Sequence, residues 1–161
     1  MLFRSSGNDI YVYYKIADGD DSLTLVADKA TNGSAIAYQI SGMDMSAPAY
    51  ANAYGYSINA DPPSLTPSNG TQDYLWIVYA GIEDTTVASS APSSFSSLLT
   101  QVSEIGGSSS SSAVREYQTS SAYNPGAFTS TIANWIACTL CISPASATGV
   151  LISNAAYYNN Y

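Results

Sequence analysis

The residues of this chain best placed to do chemistry are its two cysteines. Cys138 and Cys141 stand three apart as C-T-L-C, the spacing of dithiol redox motifs and of half a zinc site. A zinc site of that kind needs a second pair of ligands, and the chain holds two Cys and no His. A redox pair belongs at a helix N-terminus. Here the pair lies in Trp135-Ile136-Ala137-Cys138-Thr139-Leu140-Cys141-Ile142, a run that reads as strand. On a strand, residues three apart point to opposite faces. The sequence therefore predicts two small buried thiols that do not meet.

Carboxylates come next. Asp18, Asp20 and Asp21, near Asp28, have the alternate spacing that can ligate calcium. The run departs from the D-x-[DN]-x-[DN]-G order of a calcium loop, so a solvated hairpin turn is expected. Glu83 and Asp84, with Glu104 or Glu116 as partners, are the candidates for glycoside hydrolysis. That reaction needs two carboxyls facing each other across a sugar, one with a raised pKa. Adjacent loop residues do not supply that geometry, and Glu104 and Glu116 read as solvent-facing. With no histidine, Ser-His-Asp and Cys-His catalysis are excluded. No catalytic, cofactor-binding or metal-binding residue is expected, and no enzyme activity.

Tyrosine is the abundant residue of functional interest, 14 of 161. Tyr50, Tyr54 and Tyr56 lie with Asn52 in a run rich in Ala and Tyr, Ala49-Tyr50-Ala51-Asn52-Ala53-Tyr54-Gly55-Tyr56. Tyrosine is rigid and amphipathic, which suits protein interfaces; with Asn52 and Asn59 it could also stack on and hydrogen-bond a sugar. The plain alternative is that these rings pack onto their own domain. Tyr157, Tyr158 and Tyr161 crowd the C-terminus, where the choice is between docking onto a neighbouring subunit and a frayed end.

The elements that must carry these residues are short and densely punctuated, an all-β signature. Strands are expected at 10–16, 23–27, 34–41, 74–82, 97–105, 113–119, 128–132 and 135–142, with 57–60 and 149–153 as weaker cases. Residues 43–56, 61–70 and 83–94 read as connections. Residues 106–112, Gly-Gly followed by five serines, read as a flexible loop tip. The apolar run 74–82 reads as a central strand buried on both faces. Eight or nine strands without a helix are most simply buried as a two-sheet antiparallel β-sandwich, jelly-roll-like. The expected organisation is one domain over 1–144. Residues 145–161 then form a C-terminal extension, with one extra strand and an interface tail over 154–161.

Charge narrows the partners. Four Lys+Arg against 12 Asp+Glu give −8. So few cations cannot neutralise a run of phosphates, which excludes nucleic acid. An anionic membrane surface would repel the chain. Polar residues 5–9 follow directly on Met1-Leu2-Phe3-Arg4, so no signal peptide is expected. No apolar run approaches the ~20 residues of a membrane span.

Several strings resemble a β-sandwich module of tailed-bacteriophage virion proteins. They are Tyr13-Tyr14-Lys15-Ile16-Ala17-Asp18-Gly19, then Leu23-Thr24-Leu25, then Ala35-Ile36-Ala37-Tyr38-Gln39-Ile40-Ser41-Gly42-Met43-Asp44. Ala91-Pro92-Ser93-Ser94-Phe95 stands at the family's P-P-x-G-W-T corner, with Phe for Trp. Trp135-Ile136-Ala137-Cys138-Thr139-Leu140 stands at its closing strand. The resemblance spans about residues 10–144; the strand that the family carries before residue 10 is short or absent here. It implies a non-enzymatic structural protein on the virion surface, made in the host cytoplasm. The implied role is capsid decoration, with a tail-fibre or glycan-binding module as the alternative. The implied partners are the major capsid protein or tail proteins, further copies of the chain, and a host-surface glycan.

Overall fold

The computed structural model describes residues 2–4, 9–15, 33–44, 46–103, 106–145 and 151–156. Among these residues the protein is all-β. Its centre is a five-stranded antiparallel sheet in the order β4-β8-β5-β7-β6. The strands are β4 (Ala49–Ala60), β5 (Gln72–Ile82), β6 (Ser96–Val102), β7 (Ser109–Thr119) and β8 (Phe128–Ile142). Two small antiparallel pairs accompany it. The first joins β1 (Leu2–Arg4) to β2 (Asp9–Tyr11), and the second joins β3 (Ala37–Ser41) to β9 (Leu151–Ala156). No helix of the described residues is long and apolar enough to cross a membrane.

The period of two splits every central strand between two faces. On β5, Leu75, Ile77 and Tyr79 point one way, with Ile136, Cys138, Leu140 and Ile142 of β8 beside them. This first face is covered by Ile10 and Val12 from the N-terminal segment and by Tyr38, Ile40 and Met43 from β3 and its end. Tyr74, Trp76, Val78, Ala80 and Ile82 point the other way, beside Trp135, Ala137 and Cys141. Loop residues cover this second face: Leu65, Ala88, Ala91, Phe95 and Tyr123. Both tryptophans thus lie under loops, and Trp76 is completely buried. β5, the continuous apolar run of the sequence, is the middle strand and is buried on both sides, as expected.

An aromatic cluster seals one end of the second face. Tyr123 stands edge-on to Trp76 at 5.1 Å between ring centroids and touches Tyr117 at 5.0 Å. Arg115 lays its guanidinium over the Tyr117 ring, 4.3 Å from the centroid, and donates to Tyr123 Oη. The Pro92–Phe95 corner closes with Phe95 N–H donating to Pro92 O at 3.0 Å, and the Phe95 ring stacks on Tyr123.

Five expectations need correction. Residues 49–56, read as loop, are the greater part of β4, because their small and large residues alternate with the period of a strand. Ser109–Ser112, read as a flexible tip, are the buried start of β7. The two strands expected at 128–132 and 135–142 are one strand, β8, with Ala133 and Asn134 in its ladder to β4. Residues 12–15 leave the ladder after Tyr11. Asn154 to Ala156, read as tail, belong to β9 and pair with β3. Before residue 10, where a strand was expected to be short or absent, the chain forms the three-residue β1. The strand expected at 23–27 lies outside the described residues.

The β7 serines stay in the core because each hydroxyl has a partner. Ser109 Oγ donates to Thr86 O at 3.0 Å, and Ser111 Oγ accepts from Ala88 N–H at 3.1 Å. Ser112 Oγ donates to Val78 O and accepts from Tyr38 Oη, both at 2.8 Å. Ser110 Oγ bonds Tyr79 Oη and Ser34 Oγ. A buried hydroxyl without such a partner would cost about 1–3 kcal/mol. Burial of these four serines is therefore compatible with this surrounding alone.

Candidate functional site

β4 is an edge strand of the central sheet, paired with β8 on one side. Its register runs without interruption from Ala49 opposite Cys141 to Ser57 opposite Ala133, and shifts only beyond Ser57. Odd positions carry Ala49, Ala51, Ala53 and Gly55; even positions carry Tyr50, Asn52, Tyr54 and Tyr56. The small residues face the loop-covered side. There the Trp135 indole lies against the strand, so close that a Cβ on Gly55 would stand 2.7 Å from its Cζ2. Trp135 Nε1 donates to Ser57 Oγ at 3.0 Å, which secures the ring.

The even residues form one row on the opposite face. Alternate residues on a strand are about 6.7 Å apart, so the row spans about 20 Å. It is exposed where a partner could reach it: Tyr54 is 68% accessible, Tyr56 66% and Tyr50 49%. Across the ladder, Asn134 stands opposite Tyr56 and donates from Nδ2 to a Glu83 carboxylate oxygen at 2.7 Å. Ile58 and Ile132, both more than half exposed, extend the apolar surface near the register shift. The residues singled out in the sequence, Tyr50, Asn52, Tyr54 and Tyr56, are thus brought together, on a strand instead of a loop. Tyr157, Tyr158 and Tyr161 lie outside the described residues.

The carboxylates are not gathered in the same way. Asp84 caps a turn: Thr86 N–H donates to its Oδ1 at 2.8 Å and Thr131 Oγ1 to its Oδ2 at 3.3 Å. Hydrogen bonds from Thr86, the backbone one foremost, hold its carboxyl below the ordinary carboxylate range, the reverse of what a proton donor needs. Glu116 lies on β7 opposite Leu75, while Glu83 follows Ile82. Most of the length of β5 separates them, about 27 Å at ~3.4 Å per residue. Paired glycosidase carboxylates stand roughly 5–9.5 Å apart. Glu104 and the Asp18, Asp20, Asp21 and Asp28 group lie outside the described residues. Among the described residues, no three Cys, Asp or Glu side chains are grouped to hold a metal ion.

The cysteines occupy opposite faces of β8, Cys138 in the first core cluster and Cys141 beside Trp76 in another. Both are buried free thiols, and burial pushes each up to about 12. Both pack in the core, and the strand period sends residues three apart to opposite faces, so the two thiols do not meet.

No protein-family model, curated protein or solved structure matches the chain.

Proposed function

We propose that this chain is a non-enzymatic structural protein of a tailed-bacteriophage particle, a decoration protein bound to the outer surface of the capsid. On this reading the central sheet and its two small partner sheets form a jelly-roll-like sandwich. Its partners are the major capsid protein and further copies of itself. The phage assignment rests on the resemblance of residues 10–144 to virion β-sandwich modules. The observation that carries the binding role is the exposed row Tyr50, Asn52, Tyr54 and Tyr56 on an edge strand. Rigid aromatics at a sheet edge give large contact area at low entropic cost, which is what a protein that works by contact requires.

The test is a copy count. Particles purified from a lysate in which the chain is expressed should carry hundreds of copies each, by quantitative mass spectrometry. A handful per particle would remove the decoration role.

A second reading, a tail-fibre or glycan-binding module, is favoured by Asn52, whose amide sits between rings that could stack on sugar faces. A glycan array probed with the isolated protein separates the two. Binding that disappears in Tyr54→Ala and Asn52→Ala supports the glycan role. An array without signal, together with hundreds of capsid copies, ends it.

A further inference from the structure

We propose that two copies of this chain join edge to edge through β4, as an antiparallel strand pair about a two-fold axis at Ala53. The inference rests on reading the tyrosine row as a contact surface and names the partner that surface fits.

A two-fold axis sets residue i of one copy against residue j of the other, and j against i. For antiparallel strands this asks that the residues set opposite each other be compatible. The stretch from Ala49 to Ser57, Ala-Tyr-Ala-Asn-Ala-Tyr-Gly-Tyr-Ser, supplies compatible pairs about Ala53. Centred on Ala53, Tyr50 falls opposite the second copy's Tyr56, and Ala51 opposite its Gly55. Ala49 falls opposite Ser57. Asn52 falls opposite Tyr54, amide against phenol. An axis perpendicular to the sheet keeps both tyrosine rows on one face, as flanking rows of a continuous ten-stranded sheet. Aromatic pairs directly opposite each other are among the stabilising cross-strand contacts.

Three further features agree. This stretch coincides with the straight part of the strand, since the register to β8 shifts only after Ser57. Residues 49–60 carry no charged side chain in a chain of net charge −8, so the seam sets no like charges together. Native edges are usually guarded by Lys, Pro, inward charges or a bulge, and residues 49–57 hold none of these. The opposite edge, β6, is guarded by a register shift between Ser96 and Leu99 and by Ser97 at φ 55°. Among the described residues no strand lies on the outer edge of β4.

Three partly covered tyrosines and a strand edge per copy fall short of the ~800 Å² per partner of a standard stable interface. The free dimer is therefore weak, and concentration drives it. Sedimentation equilibrium of the full chain from about 10 μM to about 1 mM should show a monomer–dimer equilibrium. Tyr54→Lys, an exposed substitution that enters both symmetric halves of the seam, should weaken association by more than about tenfold. The register is tested by mixing Asn52→Cys chains with Tyr54→Cys chains under mild oxidation. A disulfide-linked heterodimer is expected, in higher yield than either variant gives alone. A chain that stays monomeric to about 1 mM, or a dimer indifferent to Tyr54→Lys, overturns the pairing. So does a dimer whose mixed cysteine chains fail to cross-link. Hundreds of copies per particle combined with a strictly monomeric free chain would sink the β4 pairing and leave the decoration role standing.

Discussion

At the scale of single residues, Gly55 and Trp135 are the most tightly coupled pair. The indole occupies the space that any side chain at position 55 would need. Gly55→Ala must displace a ring that is packed against Ala53 and hydrogen-bonded to Ser57, and overpacking of this kind costs about 1–3 kcal/mol. Trp135→Ala removes the ring itself and should cost about 3–5 kcal/mol, a large share of a typical ~5–15. The double variant should then be no less stable than Trp135→Ala alone, because the clash has lost its second member. Chemical denaturation of the three variants checks this. Fully additive losses would show that the ring does not lie against residue 55. The close approach was not legible in the sequence, where Gly55 looks like loop punctuation.

At the scale of elements, β4 and β7 show how composition misleads. In residues 49–56 the strand period is present in plain view, but alanine and glycine on one face and a nearby proline suggest a loop. Strand propensity is context, and here the context is a Trp that needs small neighbours. In β7 the serines suggest a linker, and their burial follows from partners on β5, on β3 and in the 83–95 connection. Ser112→Ala should cost about 1–3 kcal/mol, since it strips Tyr38 Oη and Val78 O of a buried partner together. Ser120→Ala, at an exposed turn, should stay within about 0.5 kcal/mol. Thermal or urea unfolding distinguishes them. Equal stability of the two variants would contradict a buried, hydrogen-bonded β7.

At the scale of the whole molecule, the described titrating groups with large shifts move upward. Burial raises Tyr79 to about 12 from an ordinary 10.0, and Cys138 and Cys141 to about 12 from 9.0. Below pH 9 these groups are protonated in both folded and unfolded chains, so their contribution is fully present. Between about pH 9 and 12 the unfolded chain releases protons that the folded chain keeps, and stability falls. We expect the unfolding free energy to be level up to about pH 9 and to decline steeply above it. Tyr79→Phe should soften the upper part of that decline. The two thiols should resist alkylation in the native protein at pH 8 and react fully once it is unfolded. Rapid native labelling, or stability that rises through pH 10, would place these groups in solvent.

The class and the middle of the fold were legible from residue types and their order alone. The apolar run 74–82 read as a strand buried on both faces, because it offers no polar face to turn outward, although its length alone left a buried helix open. Cys138 and Cys141 had to part company, because three residues along a strand reverse direction. The chemically notable tyrosines could be named for the same local reason: amphipathic rings interleaved with small residues suit a surface. Folding contacts, in turn, set Tyr50, Asn52, Tyr54 and Tyr56 on one face of a sheet edge, put four serines inside and joined residues 128–142 into one strand. Those outcomes depend on partners distant in sequence: Trp135 lying against Gly55, Tyr38 and Tyr79 meeting the β7 hydroxyls, β8 pairing with β4 and β5 together. A hydrophobic period records which way a side chain points, whereas hydroxyls and small residues take their place from whatever the fold sets opposite them.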